Sequence, residues 1–145
     1  MRHTFELPVR PMSINSSYHS FGKTQQFRDW THSVFHYLDK SDNQKKLAEL
    51  RDAFDPKTHG LRFAITLFSP DLYVKSGELS GRVVDCSNYE KAVLDAFCLA
   101  KYAEKPAPYG VKNLMIDDKF VTRLFSQKKL GADWSLRVSI TVCKK

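Results

Sequence analysis

Apolar and polar residues alternate along three stretches of the chain, which is the pattern of strands with one buried face. The clearest is "LRFAITLFS", from Leu61 to Ser69. The same alternation predicts a first strand in "HTFELPV" and a last strand in "SLRVSITVC", which ends at Cys143. A further strand is predicted from Phe120 to Gln127.

Two helices are predicted between the first strand and the strand from Leu61 to Ser69, because apolar residues recur there at helical spacing. One runs from Gln25 to about Asp39, with Thr24 as its N-cap. The next is opened by Ser41 and Gln44, which have the spacing of a capping box. The residues expected to face inward are Phe27, Trp30, Val34 and Leu38 in the first helix and Leu47, Leu50 and Phe54 in the second.

A third helix is predicted in "YEKAVLDAFCLAKYA", which contains good helix formers and neither Gly nor Pro. Ser87 and Glu90 have the spacing of a capping box, with Ser87 as the N-cap. Asn88, Lys91 and Asp95 follow one another along a single polar face. This face has two interpretations: the solvated side of a capped helix, or part of a functional site.

These elements predict one α+β domain over residues 1–145, with a small mixed sheet and about three helices packed on it. The connection between the last two strands is short, from Gly131 to Asp133, and this favours a closing β-hairpin. A chain of 145 residues is long enough for one real core and too short for two comfortable domains.

The net charge of +7 favours polyanionic partners, nucleic acid above all. From Lys101 onward ten Lys and Arg residues face only four acids. Three widely spaced cysteines form neither a disulfide framework nor a zinc ribbon, which fits reduced thiols in a cytosol. No apolar run approaches membrane-spanning length, so we expect a soluble protein of the cytoplasm, bacterial or phage-infected, that has no membrane partner.

Carboxylates on such a basic chain raise the hypothesis of a metal site. Mg²⁺ prefers hard oxygen ligands, commonly one or two carboxylates with waters and substrate oxygens. Asp85, either acid of the Asp117-Asp118 pair, and Lys91 would supply such a set if the fold brought them together at the start of the third helix. Adjacent acids also mark ordinary solvated turns, so spacing alone leaves both interpretations open.

Three sequence elements resemble the RusA family of Holliday junction resolvases, which phages and prophages commonly carry. "LPVRPMSINSSY" (Leu7 to Tyr18) is similar to the family's N-terminal element, and "DCSNYEK" (Asp85 to Lys91) to its D-x-D-N-x-x-K motif. "IDDKFV" (Ile116 to Val121) is similar to the acid pair before its last two strands. The three elements occur in the family's order.

The resemblance implies a homodimeric endodeoxyribonuclease that depends on Mg²⁺, or on Mn²⁺ as an alternative, and resolves four-way junctions or other branched DNA by paired nicks during recombination and repair. It implies that Asp85, Lys91 and Asp118 are catalytic. The implied metal ligands are Asp85, Asp117 and Asp118, and the implied supporting residues are Ser87, Asn88 and Asp95. The expected DNA contacts are Arg10, Asn15, Lys23, Lys105, Lys112 and Lys119.

Two features depart from the family pattern. Ser87 stands where the family has its second Asp, which removes one negative charge from the site. The connection that contains "AEKPAPYGVKN" is longer than usual and is expected to be an exposed loop. A catalytically weak or inactive protein that binds branched DNA is therefore the first alternative, and a small basic RNA-binding or regulatory protein is the second. His32 and His36 are spaced for zinc, but the sequence supplies no third ligand, and surface or interface roles are expected.

Overall fold

The computed structural model describes residues 1–11, 18–19, 22–23, 25–81, 86–98 and 111–145, with the backbone alone at 18–19, 22–23 and 87–88. Its strands are β1 (Arg2–Leu7), β2 (Tyr18–His19), β3 (Gly22–Lys23), β4 (His59–Ser69), β5 (Val121–Leu130) and β6 (Ser135–Lys144). Its helices are α1 (Gln25–Leu38), α2 (Ser41–Ala53) and α3 (Cys86–Phe97), and a 3-10 turn spans Asp118–Phe120.

Four strands form a mixed sheet in the order β1-β6-β4-β5. β4 lies beside β5 in parallel and beside β6 in the antiparallel direction, and β1 is antiparallel to β6. β2 and β3 form a separate antiparallel pair. The predicted α+β class and mixed sheet with three helices are confirmed.

One face of the sheet carries the core. The alternating apolar residues of β1, β4 and β6 are buried there, among them Phe5, Phe63 and Val138. The buried sides of the three helices belong to the same cluster; Phe97 of α3, for example, lies edge-on to Phe5 at 5.5 Å and to Phe63 at 6.3 Å. The helices therefore pack on one side of the sheet, as the predicted inward-facing residues require.

The predicted closing hairpin is wrong, because β5 and β6 lie on opposite sides of β4. The short connection crosses the end of β4, a span of two strand spacings or about 10 Å. Gly131 makes the crossing possible: its amide donates to the Ser69 carbonyl, and a Cβ on it would lie 2.8 Å from the Phe68 Cβ. A short connection indicates closeness of the strand ends and does not by itself indicate pairing.

Both tested capping boxes are wrong in detail. Lys40 is the N-cap of α2 and makes no side-chain cap bond, while Gln44 donates to the Leu38 carbonyl and so satisfies the end of α1. α3 begins at Cys86, which places Ser87 inside the helix, and Glu90 accepts a hydrogen bond from Ser126 of β5. In both places the side chain expected to cap its own helix bonds to a neighbouring element. Thr24, the predicted cap of α1, lies outside the described residues.

Candidate functional site

α3 presents Lys91 and Asp95 one turn apart on the side away from its buried stripe. Lys91 Nζ lies 3.6 Å from Asp95 Oδ2; the Lys91 side chain is 51% exposed and that of Asp95 only 16%. Tyr89, Val93 and Phe97 are fully or almost fully buried on the opposite side. The predicted polar face of the helix is therefore confirmed for these two residues.

Two contacts fix α3 on the edge strand β5. The Tyr89 hydroxyl donates to the Gln127 carbonyl at 3.1 Å, and Ser126 donates to Glu90. Burial, then the hydrogen bond and charge of Cys86 and the charge of Glu90, raise the pKa of Tyr89 far above its ordinary value. The phenol therefore stays a neutral donor, and the helix is held against the strand that follows the acid pair.

Asn113 fastens the segment before the acid pair to the end of α3. Its buried amide donates to the carbonyls of Ala96 and Cys98, at 3.0 and 3.1 Å, and so satisfies acceptors that the helix end leaves free. Its side-chain oxygen accepts from the amide of Met115, whose φ of 57° lies in the left-handed region. This sharp turn directs the chain toward Asp117 and Asp118. Asn113 was not among the predicted site residues, and its place in a Pro- and Gly-containing connection was its only signal.

Asp117 and Asp118 begin the 3-10 turn before β5. Asp117 is the N-cap, and its carboxylate accepts from the Lys119 amide at 2.8 Å. Asp117 is half-buried and Asp118 is exposed. Asp117 therefore has a structural role in shaping the turn that presents Asp118 to solvent.

The structure brings Asp118 close enough to Asp95 for its charge to act on that carboxyl group. Burial, and then the charge of Asp118, raise the pKa of Asp95 to about 6, although Lys91 nearby favours the ionised form. Burial and the charges of Asp118, Asp95 and Asp117 likewise raise the pKa of the Cys98 thiol far above its ordinary value. Asp95, predicted only as a supporting residue, is thus the acid of α3 that the described structure couples to Asp118.

The other predicted site residues are less fully placed. Asp85 lies outside the described residues, and Ser87 and Asn88 are described by their backbone alone. Asp95 lies nine residues after Cys86, which is about 14 Å along the helix axis. The closeness of Asp95 to Asp118 therefore does not place Asp85, and the convergence of Asp85 with Asp118 stays a prediction. In the part of the chain that the structure describes, no group of three or more His, Cys, Asp or Glu side chains is arranged to hold a metal ion.

The predicted DNA contacts are scattered. Arg10 is exposed, its guanidinium lies 4.2 Å from the Trp134 ring, and both line a cleft of about 630 Å³. Trp134 is next to Ser135, which pairs with Phe68 near the end of β4. Asp118 lies three residues before Val121, which pairs with Leu61 near the start of β4. Seven strand residues, or about 23 Å, separate these two levels. Arg10 therefore lies at the end of the sheet remote from the acid pair.

Lys112 and Lys119 are exposed near the acid pair in sequence, and Lys119 Nζ lies 5.2 Å from the Phe120 ring. Lys23 belongs to β3 and is described by its backbone alone. Asn15 and Lys105 lie outside the described residues. Two of the six predicted contacts thus lie near the candidate site in sequence.

No protein-family model matches the chain, and a search of curated proteins finds no significant match. Among the described helices, none has the length and apolar character that crossing a membrane requires. The candidate site therefore has to be judged on its own geometry.

Proposed function

We propose that this protein is a divalent-metal-dependent endodeoxyribonuclease that acts on branched DNA, in the manner of the RusA resolvases that its sequence resembles. The observation that carries the proposal is that Asp118, in the turn before β5, lies close enough to Asp95 of α3 for its charge to raise the pKa of that residue, while Lys91 Nζ lies 3.6 Å from Asp95. Asp118 is 23 positions from Asp95 and 27 from Lys91 in the sequence, so the fold adds a second carboxylate to an i,i+4 pair on a basic chain.

The donor set fits Mg²⁺. The ion is commonly held by one or two carboxylates, with waters and substrate phosphate completing its shell, so Asp95 and Asp118 suffice without a third acid. Burial, and then repulsion from Asp118, raise the pKa of Asp95, and a cation bound between the two acids would favour the ionised form. When bound, a divalent cation lowers the pKa of a water and stabilises charge on the phosphate oxygens. Asp85 is proposed as a further ligand at the start of α3.

The side chains of this chain then have distinct tasks. Asp118, exposed at the turn, would bind the ion, and Asp117 keeps that turn in shape through the Lys119 amide. Lys91, half-exposed and 3.6 Å from Asp95, is in place to hold the scissile phosphate. A homodimer with two-fold symmetry would present two such sites to the two equivalent strands of a four-way junction.

Cleavage of a synthetic four-way junction tests this proposal. We expect the protein to nick the junction in Mg²⁺ or Mn²⁺ and not in EDTA, and Asp118→Asn to lower the rate at least about 100-fold while junction binding in Ca²⁺ persists. The control is Asp133→Asn, which removes an equally exposed acid at the remote end of the sheet and should leave the rate unchanged. Full activity of Asp118→Asn would remove this residue from the chemistry.

Comparing Asp85→Asn with Asp95→Asn identifies the partner of Asp118. If the ion is shared with the α3 acid that the structure couples to Asp118, Asp95→Asn will weaken Mn²⁺ binding, measured calorimetrically without DNA. If the ion sits at the start of the helix, Asp85→Asn will have the larger effect.

A second candidate function is binding of branched DNA without cleavage. It is favoured by Ser87, which stands at the position of an expected acid. Salt-sensitive junction binding with no product under any divalent metal would select it. Gain of cleavage on Ser87→Asp would then locate the defect.

A further inference from the structure

The face of the sheet opposite the core carries no helix in the described part of the chain. The register aligns its residues in rows across all four strands. One row, from β1 to β5, contains Arg2, Thr141, Arg62 and Arg123. The next contains Thr4, Ser139, Ala64 and Phe125. We call these two rows the arginine row and the platform row.

The three arginines of the first row are exposed and span about 14 Å, three strand spacings. Arg62 and Arg123 are direct partners on parallel strands, and like charges in such positions repel each other. Within the described residues, no ion pair joins any of the three to an acid. The row is therefore a line of positive charge that nothing in the described structure neutralises.

A bulge in β5 creates the Arg62–Arg123 pair. Val121 pairs with Leu61 and Arg123 with Arg62, so Thr122 is an extra residue at this point. Its hydroxyl donates to the Leu61 carbonyl, and its methyl group occupies the space that a Cβ on Gly60 would need, only 2.7 Å away. The extra residue places Arg123 on the uncovered face beside Arg62.

The platform row is flat except at its β5 end. Thr4 and Ser139 are joined by a hydrogen bond of 2.8 Å, and Ala64 adds only a methyl group. Phe125 is 57% exposed at the end of the row. A large aromatic ring on a flat, polar surface beside a line of cations is the arrangement that stacks a nucleic acid base while its phosphates are neutralised.

The third row contains Glu6, Arg137, Thr66 and Gln127. Its polar side chains bond to one another, so it marks the edge of the open surface. Arg137 donates to Glu6 at 2.6 Å, and Gln127 donates to Thr66 at 3.1 Å. The open charge and the open ring thus belong to the first two rows.

We propose that the arginine row and the platform row bind single-stranded nucleic acid, with phosphates along Arg2, Arg62 and Arg123 and an unpaired base on Phe125. Charge complementarity with the phosphates selects this occupant over a second copy of the chain, whose identical row would be repelled. The exposed ring selects a single strand over a duplex, whose bases are stacked within the helix. The proposal goes beyond the proposed nuclease function and does not depend on the acids of that site.

Binding of a fluorescent 12-nucleotide dT strand to the full-length protein in EDTA, measured by anisotropy, tests the proposal without cleavage. The double substitution Arg62→Glu with Arg123→Glu should weaken binding at least about 30-fold and reduce its salt dependence. The matched control is Lys45→Glu with Lys57→Glu, which makes the same change in net charge at exposed positions outside the sheet face. It should weaken binding less than about threefold. Circular dichroism of each variant checks that it is folded.

Phe125→Leu separates base stacking from charge. This variant should lose about tenfold in affinity for the dT strand and nothing for inorganic polyphosphate of similar charge. Equal losses in the two double variants, or unchanged dT binding in Phe125→Leu, would overturn the proposal in favour of non-specific polyanion binding. A self-association that Arg62→Glu with Arg123→Glu alters, without any change in dT affinity, would assign the face to a second copy instead. If the protein binds dT but never nicks junctions, this proposal stands and the proposed nuclease function is overturned.

Discussion

On the helix side of the molecule, Asp95 and Asp117 are partly buried and held by Lys91, the Lys119 amide and the Asn113 turn. On the uncovered face, Arg62 and Arg123 are exposed, adjacent and joined to no acid among the described residues. The difference teaches what each kind of charge can do. Charges that are held by their neighbours can position a metal or a phosphate within a fraction of an ångström, whereas solvated charges on a flat sheet can attract a polyanion of varied shape.

The largest difference between the two sides should appear in stability. Phe97→Ala removes a fully buried ring that contacts Phe5 and Phe63, and should lower the free energy of unfolding by about 3–5 kcal/mol. Phe125→Ala removes a ring of equal size from the uncovered face, and should change it by about 0.5 kcal/mol or less. Urea denaturation measures both. A large loss in Phe125→Ala would mean that this face is covered.

A smaller effect is expected where the helix side holds its acids. Asn113→Ala leaves the carbonyls of Ala96 and Cys98 without their donor, and should cost about 2 kcal/mol in urea denaturation. It should also weaken Mn²⁺ binding, because the turn that aims the acid pair is loosened. Asn43→Ala is the control, since Asn43 also donates to a carbonyl in the last turn of a helix, that of Tyr37 in α1, and is 74 positions from Asp117 in the sequence. Unchanged Mn²⁺ affinity in Asn113→Ala would separate this residue from the site.

The smallest effect should come from the protonation of Asp95 in EDTA. Its pKa is about 6 in the folded protein and about 3.9 when unfolded, so the folded state holds the proton more tightly. The contribution to stability is complete below about pH 4 and is lost as pH rises through 6, by about 1–2 kcal/mol for this largely buried group. Asp95→Asn should remove this part of the pH dependence and leave the rest, as measured by urea denaturation at several pH values. An unchanged profile would show that the pKa of Asp95 is not raised in the folded protein.

Local pattern was enough for much of the fold. The alternation in "LRFAITLFS" and the helical spacing of Phe27, Trp30, Val34 and Leu38 each predicted an element that the structure contains, because each pattern depends only on which side of one element is buried. The polar face of α3, with Lys91 and Asp95, followed from the same geometry.

The sequence could not determine which elements become neighbours. The crossing of the Gly131 connection over β4, the bond from Ser126 to Glu90 and the approach of Asp118 to Asp95 all join residues whose partners are set by the sheet order and by helix packing. Such contacts produce no periodic pattern in the local sequence. Whether they form depends on the entropy cost of closing the intervening loop and on the free energy gained by burying apolar surface, and both depend on the whole chain. The chain alone thus decided what each strand and helix would bury, and tertiary packing decided which charges would meet.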